Sequence, residues 1–113
     1  MLSEAEGCDL LTRVFTARGY RIARDVPLDL PGVAFVADGW DSDHRVGFEY
    51  MTRESGDHLD LEGPEIAALA AMMERGELFI FVIDEVAIAD PAELEWAAGA
   101  FLDEVERRRG GRP

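Results

Sequence analysis

The sequence predicts an α+β (mixed α/β) fold: about four strands in a mixed sheet flanked by helices, in the order α-β-β-β-α-β-α. Three observations carry this. Residues 78–83 (LFIFVI) form an apolar run with no polar alternation, the mark of a strand covered on both faces. Val46, Phe48 and Tyr50 alternate with Gly47, Glu49 and Met51, and a second apolar run at 33–37 precedes them across a turn-rich segment, as in an antiparallel hairpin. A helical pattern then separates this hairpin from residues 78–83, and a strand that returns through a helix usually pairs in parallel.

Taken in order, Ser3 and Glu6 have the spacing of a capping box and start a helix at Glu4. Leu10, Leu11, Val14 and Phe15 form its apolar stripe, and Gly19 supplies a left-handed stop. Residues 20–26 read as the first strand, with Tyr20, Ile22 and Val26 on one face and Pro27 and Pro31 bounding the connection that follows. Residues 33–37 read as the second strand, 38–43 (DGWDSD) as a turn and 45–51 as the third strand. After a polar stretch, Gly63-Pro64 opens a helix whose buried stripe is Ile66, Leu69, Ala70 and Met73, ending at Gly76. The apolar run at 78–83 is placed centrally in the sheet. Asp90, Pro91 and Glu93 start a last helix with one apolar face, Leu94, Ala97, Ala98, Phe101, Leu102 and Val105. Arg107, Arg108 and Arg109 complement its C-terminal dipole, and Gly110 and Gly111 end it. Trp96 falls off the main stripe, where it covers a second hydrophobic surface or a dimer contact.

Composition bounds the function. The 113 residues, 48% apolar and 31% charged, fit a single globular domain spanning 1–113. Cys8 is the only cysteine, which excludes an internal disulfide and points to a reducing compartment. With neither a signal peptide nor an apolar run long enough to span a bilayer, the expectation is a cytoplasmic protein with no membrane role. Twenty-four carboxylates against 11 basic residues give a net charge of −13, which repels phosphate backbones and disfavours nucleic acid as a partner. All basic residues are arginine, so every lysine-based mechanism is excluded. Nine carboxylates lie between Asp38 and Glu65 against Arg45 and Arg53 alone; this is a solvated face or a docking surface for a basic partner.

Few residues offer chemistry. The aspartates of DGWDSDH depart from the EF-hand pattern at Arg45 and Val46, and His44 and His58 lack the spacing of a zinc site. Cys8 lies in the first turns of a helix, where packing is its common role. No phosphate-cradling loop occurs, and no cofactor is implied. Asp38, ten intervening residues and then Glu49-Tyr50-Met51 form one acid pair at the hairpin. With the element order over residues 4–84, this pair resembles the core of the PD-(D/E)XK nuclease-like fold. The resemblance implies a divalent metal held by Asp38 and Glu49. The lysine that would position or activate the attacking water is replaced by Met51, which neither holds a proton nor carries charge.

The functional expectation is therefore a non-catalytic, acidic protein-interaction module, an adaptor or an immunity- or inhibitor-type protein that docks on a basic protein or on itself. Its docking residues are Trp40, Asp41, Asp43, Glu54 and Asp57. Trp40 itself is either tucked over the sheet edge or offered to the partner. The alternative is a degenerate metal-dependent nuclease or phosphodiesterase, with Asp38 and Glu49 as catalytic metal ligands and the lysine's role either lost or filled by Arg45 or Arg53.

Overall fold

The computed structural model describes residues 2–52, 61–88 and 90–113. Helix α1 (Glu4–Ala17) begins at a complete capping box: the Ser3 hydroxyl accepts from the Glu6 N–H, and the Glu6 carboxylate accepts from the Ser3 N–H. Its chain then leaves through Gly19, at φ +99°, into strand β1 (Ala23–Leu30). Strands β2 (Val33–Asp41) and β3 (Val46–Met51), helix α2 (Gly63–Glu74), strand β4 (Phe79–Asp84), a 3-10 turn (Glu85–Ala87) and helix α3 (Pro91–Arg109) follow. The four strands lie in the order β1-β2-β3-β4, antiparallel except for the parallel β3/β4 pair.

Period-two alternation in β3 and β4 divides the core into two layers. Val46, Phe48, Tyr50, Phe79 and Phe81 face α1 and α3, where Leu11, Phe15, Leu94, Ala98 and Leu102 complete one cluster. Ile80 turns the other way and joins Val33, Phe35, Ala37, Leu69 and Met72 beneath α2. The sheet thus has α1 and α3 on one face and α2 on the other.

Four local expectations change. Strand β1 runs through Pro27 to Leu30, because an edge strand tolerates a residue with no N–H to donate. Segment 38–43 is not a turn: β2 continues to Asp41, and the chain reverses over residues 42–45, with Arg45 at φ +57°. In α2 the buried positions are Leu69 and Met72, while Ile66 and Ala70 face outward. Strand β4 lies at the edge of the described sheet. Its unbroken apolar run records helices on both faces, which says nothing about lateral neighbours.

Helices α2 and α3 are tied by Arg108. Its guanidinium donates to the carbonyls of Met73 (2.6 Å) and Glu74 (2.8 Å), satisfying the C-terminal end of α2, and lies 5.1 Å from the Phe79 ring centroid. Arg108→Ala is expected to cost about 1–2 kcal/mol, since it leaves two helix-end carbonyls to water at an exposed site; the midpoint of urea unfolding reads this directly. Among the described residues no helix is long and apolar enough to cross a membrane.

Candidate functional site

The acid pair lies where the β2/β3 hairpin opens. Backbone pairing joins Gly39–Asp41 of β2 to Val46–Phe48 of β3 and stops at Gly39 opposite Phe48. One residue further on, side chains replace the ladder. The Asp38 N–H donates to Glu49 Oε1 at 3.3 Å, and the Tyr50 N–H donates to Asp38 Oδ2 at 2.8 Å. Both carboxylates are buried, and each takes a backbone N–H that the separating strands would otherwise leave without a partner.

A slip in β2 creates this opening. Ala37 and Trp40, three residues apart, both pack in the α2-side cluster, so alternation along β2 shifts across Asp38 and Gly39. Arg24 braces the same point from the neighbouring strand, donating through Nε to the Asp38 carbonyl at 3.1 Å while pairing with Asp9 of α1 at 3.2 Å. On the α1 side lies Cys8. Burial, with the nearby Asp38 carboxylate adding to it, pushes its thiol far above the ordinary range and leaves no thiolate for nucleophilic chemistry.

The structure brings Asp38 and Glu49 together, and the cation beside them is Arg24, whose guanidinium is engaged with the Asp38 carbonyl and with Asp9. Met51 lies half-buried two residues beyond Glu49 and opposite Asp84 of β4. Arg45 belongs to the other end of the hairpin, where Nε donates to the Glu77 carbonyl at 3.0 Å and the guanidinium lies 6.0 Å from the Trp40 ring centroid. It therefore cannot take the lysine's role at the acid pair. Arg53 lies outside the described residues. Glu85, directly after β4, is a further buried carboxylate that neither motif nor periodicity marked. Among the described residues no group of three or more Asp, Glu, His or Cys side chains is arranged to hold a metal ion.

The expected docking surface changes more. Trp40 is 4% exposed and packs against the α2-side core, so its indole is a fold residue, unavailable to a partner. Asp41 is 1% exposed, and both its oxygens are engaged. Oδ1 accepts the N–H groups of Asp43 (2.9 Å) and His44 (3.0 Å), and Oδ2 accepts the N–H of Arg21 (2.8 Å) and pairs with His44 Nδ1 at 3.0 Å. Burial alone would raise this carboxyl, but these donors outweigh it and hold it below the ordinary carboxylate range. The physical reason for both corrections is one event: β2 continues through 38–41, drawing residues that read as loop into the sheet. Asp43 stays exposed on the reversal, and Glu54 and Asp57 lie outside the described residues. Trp96 of α3, by contrast, is 75% exposed.

Compared with known proteins, the chain matches no family model, no curated protein and no solved structure.

Proposed function

We propose that this protein is a non-catalytic, acidic interaction module that docks on a basic protein partner. The observation that carries this reading is the use made of the acid pair. Asp38 and Glu49 each accept a backbone N–H from the facing strand, and a methionine follows where a lysine would assist hydrolysis. One oxygen of each carboxylate is thereby engaged in holding the hairpin closed, which competes with its use as a cation ligand. The net charge of −13 supplies the attraction for a basic surface and speeds encounter with it. With Trp40 and Asp41 inside the fold, the docking carboxylates among the described residues are Asp43 on the reversal and Asp25 and Asp29 on the exposed side of β1.

Immobilised protein incubated with host lysate is expected to retain a basic partner at low salt and release it at high salt, as screening removes the attraction between exposed charges. Failure to retain any protein across several growth states would overturn the reading.

A second reading, a metal-dependent phosphodiesterase, is favoured by the juxtaposition of Asp38 and Glu49 across the hairpin. It requires a saturable rise in melting temperature with Mn²⁺ or Mg²⁺ that is lost in Glu49→Gln, because a ligand that binds only the folded state must stabilise it. The interaction module predicts no such shift in either protein.

A further inference from the structure

The two buried tyrosines use their hydroxyls differently. Tyr50 donates to the Leu2 carbonyl at 3.2 Å, the ordinary fate of a buried phenol. Tyr20 is 4% exposed, its ring held against Phe15 and His44, yet its hydroxyl has no hydrogen-bond partner among the described residues. Tyr20 lines a pocket of about 190 Å³ whose other walls are His44, Arg109, Gly111, Arg112 and Pro113.

The groups around the phenol are donors. His44 sets Nδ1 against the acceptor-only Asp41 Oδ2 at 3.0 Å, so the ring proton is held there, and Nε2 becomes a second donor once the ring takes another proton. Arg109 is fixed by its bond to the His44 carbonyl and by the Phe79 ring, whose centroid is 4.9 Å from its guanidinium. Arg112 uses Nε alone, on Glu106 at 3.2 Å. Both guanidiniums keep further N–H groups that no acceptor among the described residues takes. The nearby carboxylates are already engaged: Asp41 by its four donors, and Glu106 by Arg18 at 2.7 Å and by Arg112. Burial and Glu106, opposed by Arg109, hold the Tyr20 phenol above its ordinary pKa, so it stays protonated and can donate.

We propose that this pocket binds a small tetrahedral oxyanion of the phosphate class, held by the Tyr20 hydroxyl and the guanidiniums of Arg109 and Arg112, with the His44 imidazole beside it. Charge is polarised along the molecule in a way that permits this. At the end of the fold that joins the β2/β3 reversal, the start of β4 and the last turns of α3, eight of the eleven arginines stand against seven carboxylates. The rest of the described chain carries Arg13 and Arg24 against fourteen. A compact anion therefore meets a local balance of charge despite the net −13, whereas a polyanion, extended over the acidic remainder, is repelled. Size points the same way, since the volume is below the roughly 300–1,000 Å³ of sites for drug-sized ligands. Three or four donors converging on one point suit the oxygens of a tetrahedral ion better than the two of a carboxylate. The proposal does not rest on the basic partner, which is drawn to exposed carboxylates.

The test is an NMR titration of the full chain with inorganic phosphate, ionic strength being held constant with chloride. Saturable shifts are expected at Tyr20, His44 and residues 109–112, with half-saturation at about 1 mM. Tyr20→Phe is expected to weaken binding about five- to tenfold, the worth of one hydrogen bond. The same variant is expected to keep the parent's melting temperature in phosphate-free buffer, because the lost hydroxyl has no partner in the protein. Arg112→Gln is expected to weaken binding roughly tenfold or more, as for a charge-assisted bond. Arg13→Gln, which makes the same change in net charge at a residue lining other pockets, is expected to leave binding unchanged. Acetate is expected to bind roughly tenfold more weakly than phosphate, having fewer oxygens to offer. Methyl phosphate separates the two sources of the ion: binding as tight as that of phosphate assigns the pocket to a phosphoryl group on a larger molecule, and weaker binding assigns it to the free ion. Shifts that rise linearly with phosphate, that chloride reproduces, that acetate matches in affinity, or that survive both Tyr20→Phe and Arg112→Gln would overturn the inference. None of these outcomes involves the basic partner, so the two readings stand or fall separately.

Discussion

Replacing Gly47 with alanine is expected to destabilise the protein by about 3 kcal/mol or more, one of the largest effects available to a single added methyl group. Gly47 pairs with Trp40 across the hairpin, and the Trp40 indole lies over it. A Cβ there would overlap the Gly39 carbonyl oxygen and stand 2.8 Å from Trp40 Cε3 and 3.1 Å from Trp40 Cα. Two of these three neighbours are main chain in a hydrogen-bonded pair of strands, so relief requires the strands to part. The side chain cannot simply turn away either, because Trp40 is buried under α2. Gly63→Ala is the matched control: at the start of α2 nothing lies within 4 Å of its added Cβ. It is expected to be neutral or stabilising by up to about 1 kcal/mol through reduced freedom of the unfolded chain. Urea unfolding of the two variants beside the parent checks both. A Gly47→Ala protein within about 0.5 kcal/mol of the parent would mean that the close approach of Trp40 to β3 is wrong.

What the sequence conveyed and what it hid divide along a physical line. Local signals were reliable. The Ser3–Glu6 capping box, the Asp90 cap with Pro91, and the left-handed stops at Gly19 and Gly110 all stand where their chemistry requires, because a cap depends on residues within one turn of itself. The alternation of Val46, Phe48 and Tyr50 was equally legible, since it reports the one face that those residues share. Non-local facts were hidden. The lateral place of β4 depends on which strand lies beside it, and an apolar run cannot express that. Residues 38–43 read as a turn because Asp, Gly and Ser each favour turns, yet β2 runs on to Asp41 and these residues serve other ends. In the structure Gly39 is small because Phe48 and Ile22 crowd it, and Asp41 is acidic because four donors converge on it. Trp40 is then an aromatic laid over a glycine of the facing strand, a pairing visible only once the register is known. The spacing of Asp38 and Glu49 did place them across the hairpin from one another. It could not show that their oxygens would be drawn into the backbone of a hairpin already parting at that point.

Asp41→Asn is expected to cost about 2–4 kcal/mol, although it changes one atom. The carboxylate accepts with both oxygens, from the N–H groups of Asp43 and His44 on one and from Arg21 and His44 Nδ1 on the other. An amide can satisfy the first pair with its oxygen, but then its NH₂ group is turned toward the Arg21 N–H, two donors facing each other in a buried site. The pH dependence separates this cause from a simple loss of packing. The folded-state pKa of Asp41 lies below its ordinary value. The ionised form therefore stabilises the fold fully above about pH 4, near the unfolded pKa, and that contribution is lost as pH falls through the folded value. The stability gap between parent and Asp41→Asn is expected to be constant from neutral pH down to about pH 4 and to narrow below it, because only the parent has this contribution to lose. A gap that holds its full size into the acid limb would assign the loss to shape alone. A closing gap would mean that the reversal joining β2 to β3, and with it the hairpin that aligns Asp38 with Glu49, is fastened by the charge on a carboxylate at its tip.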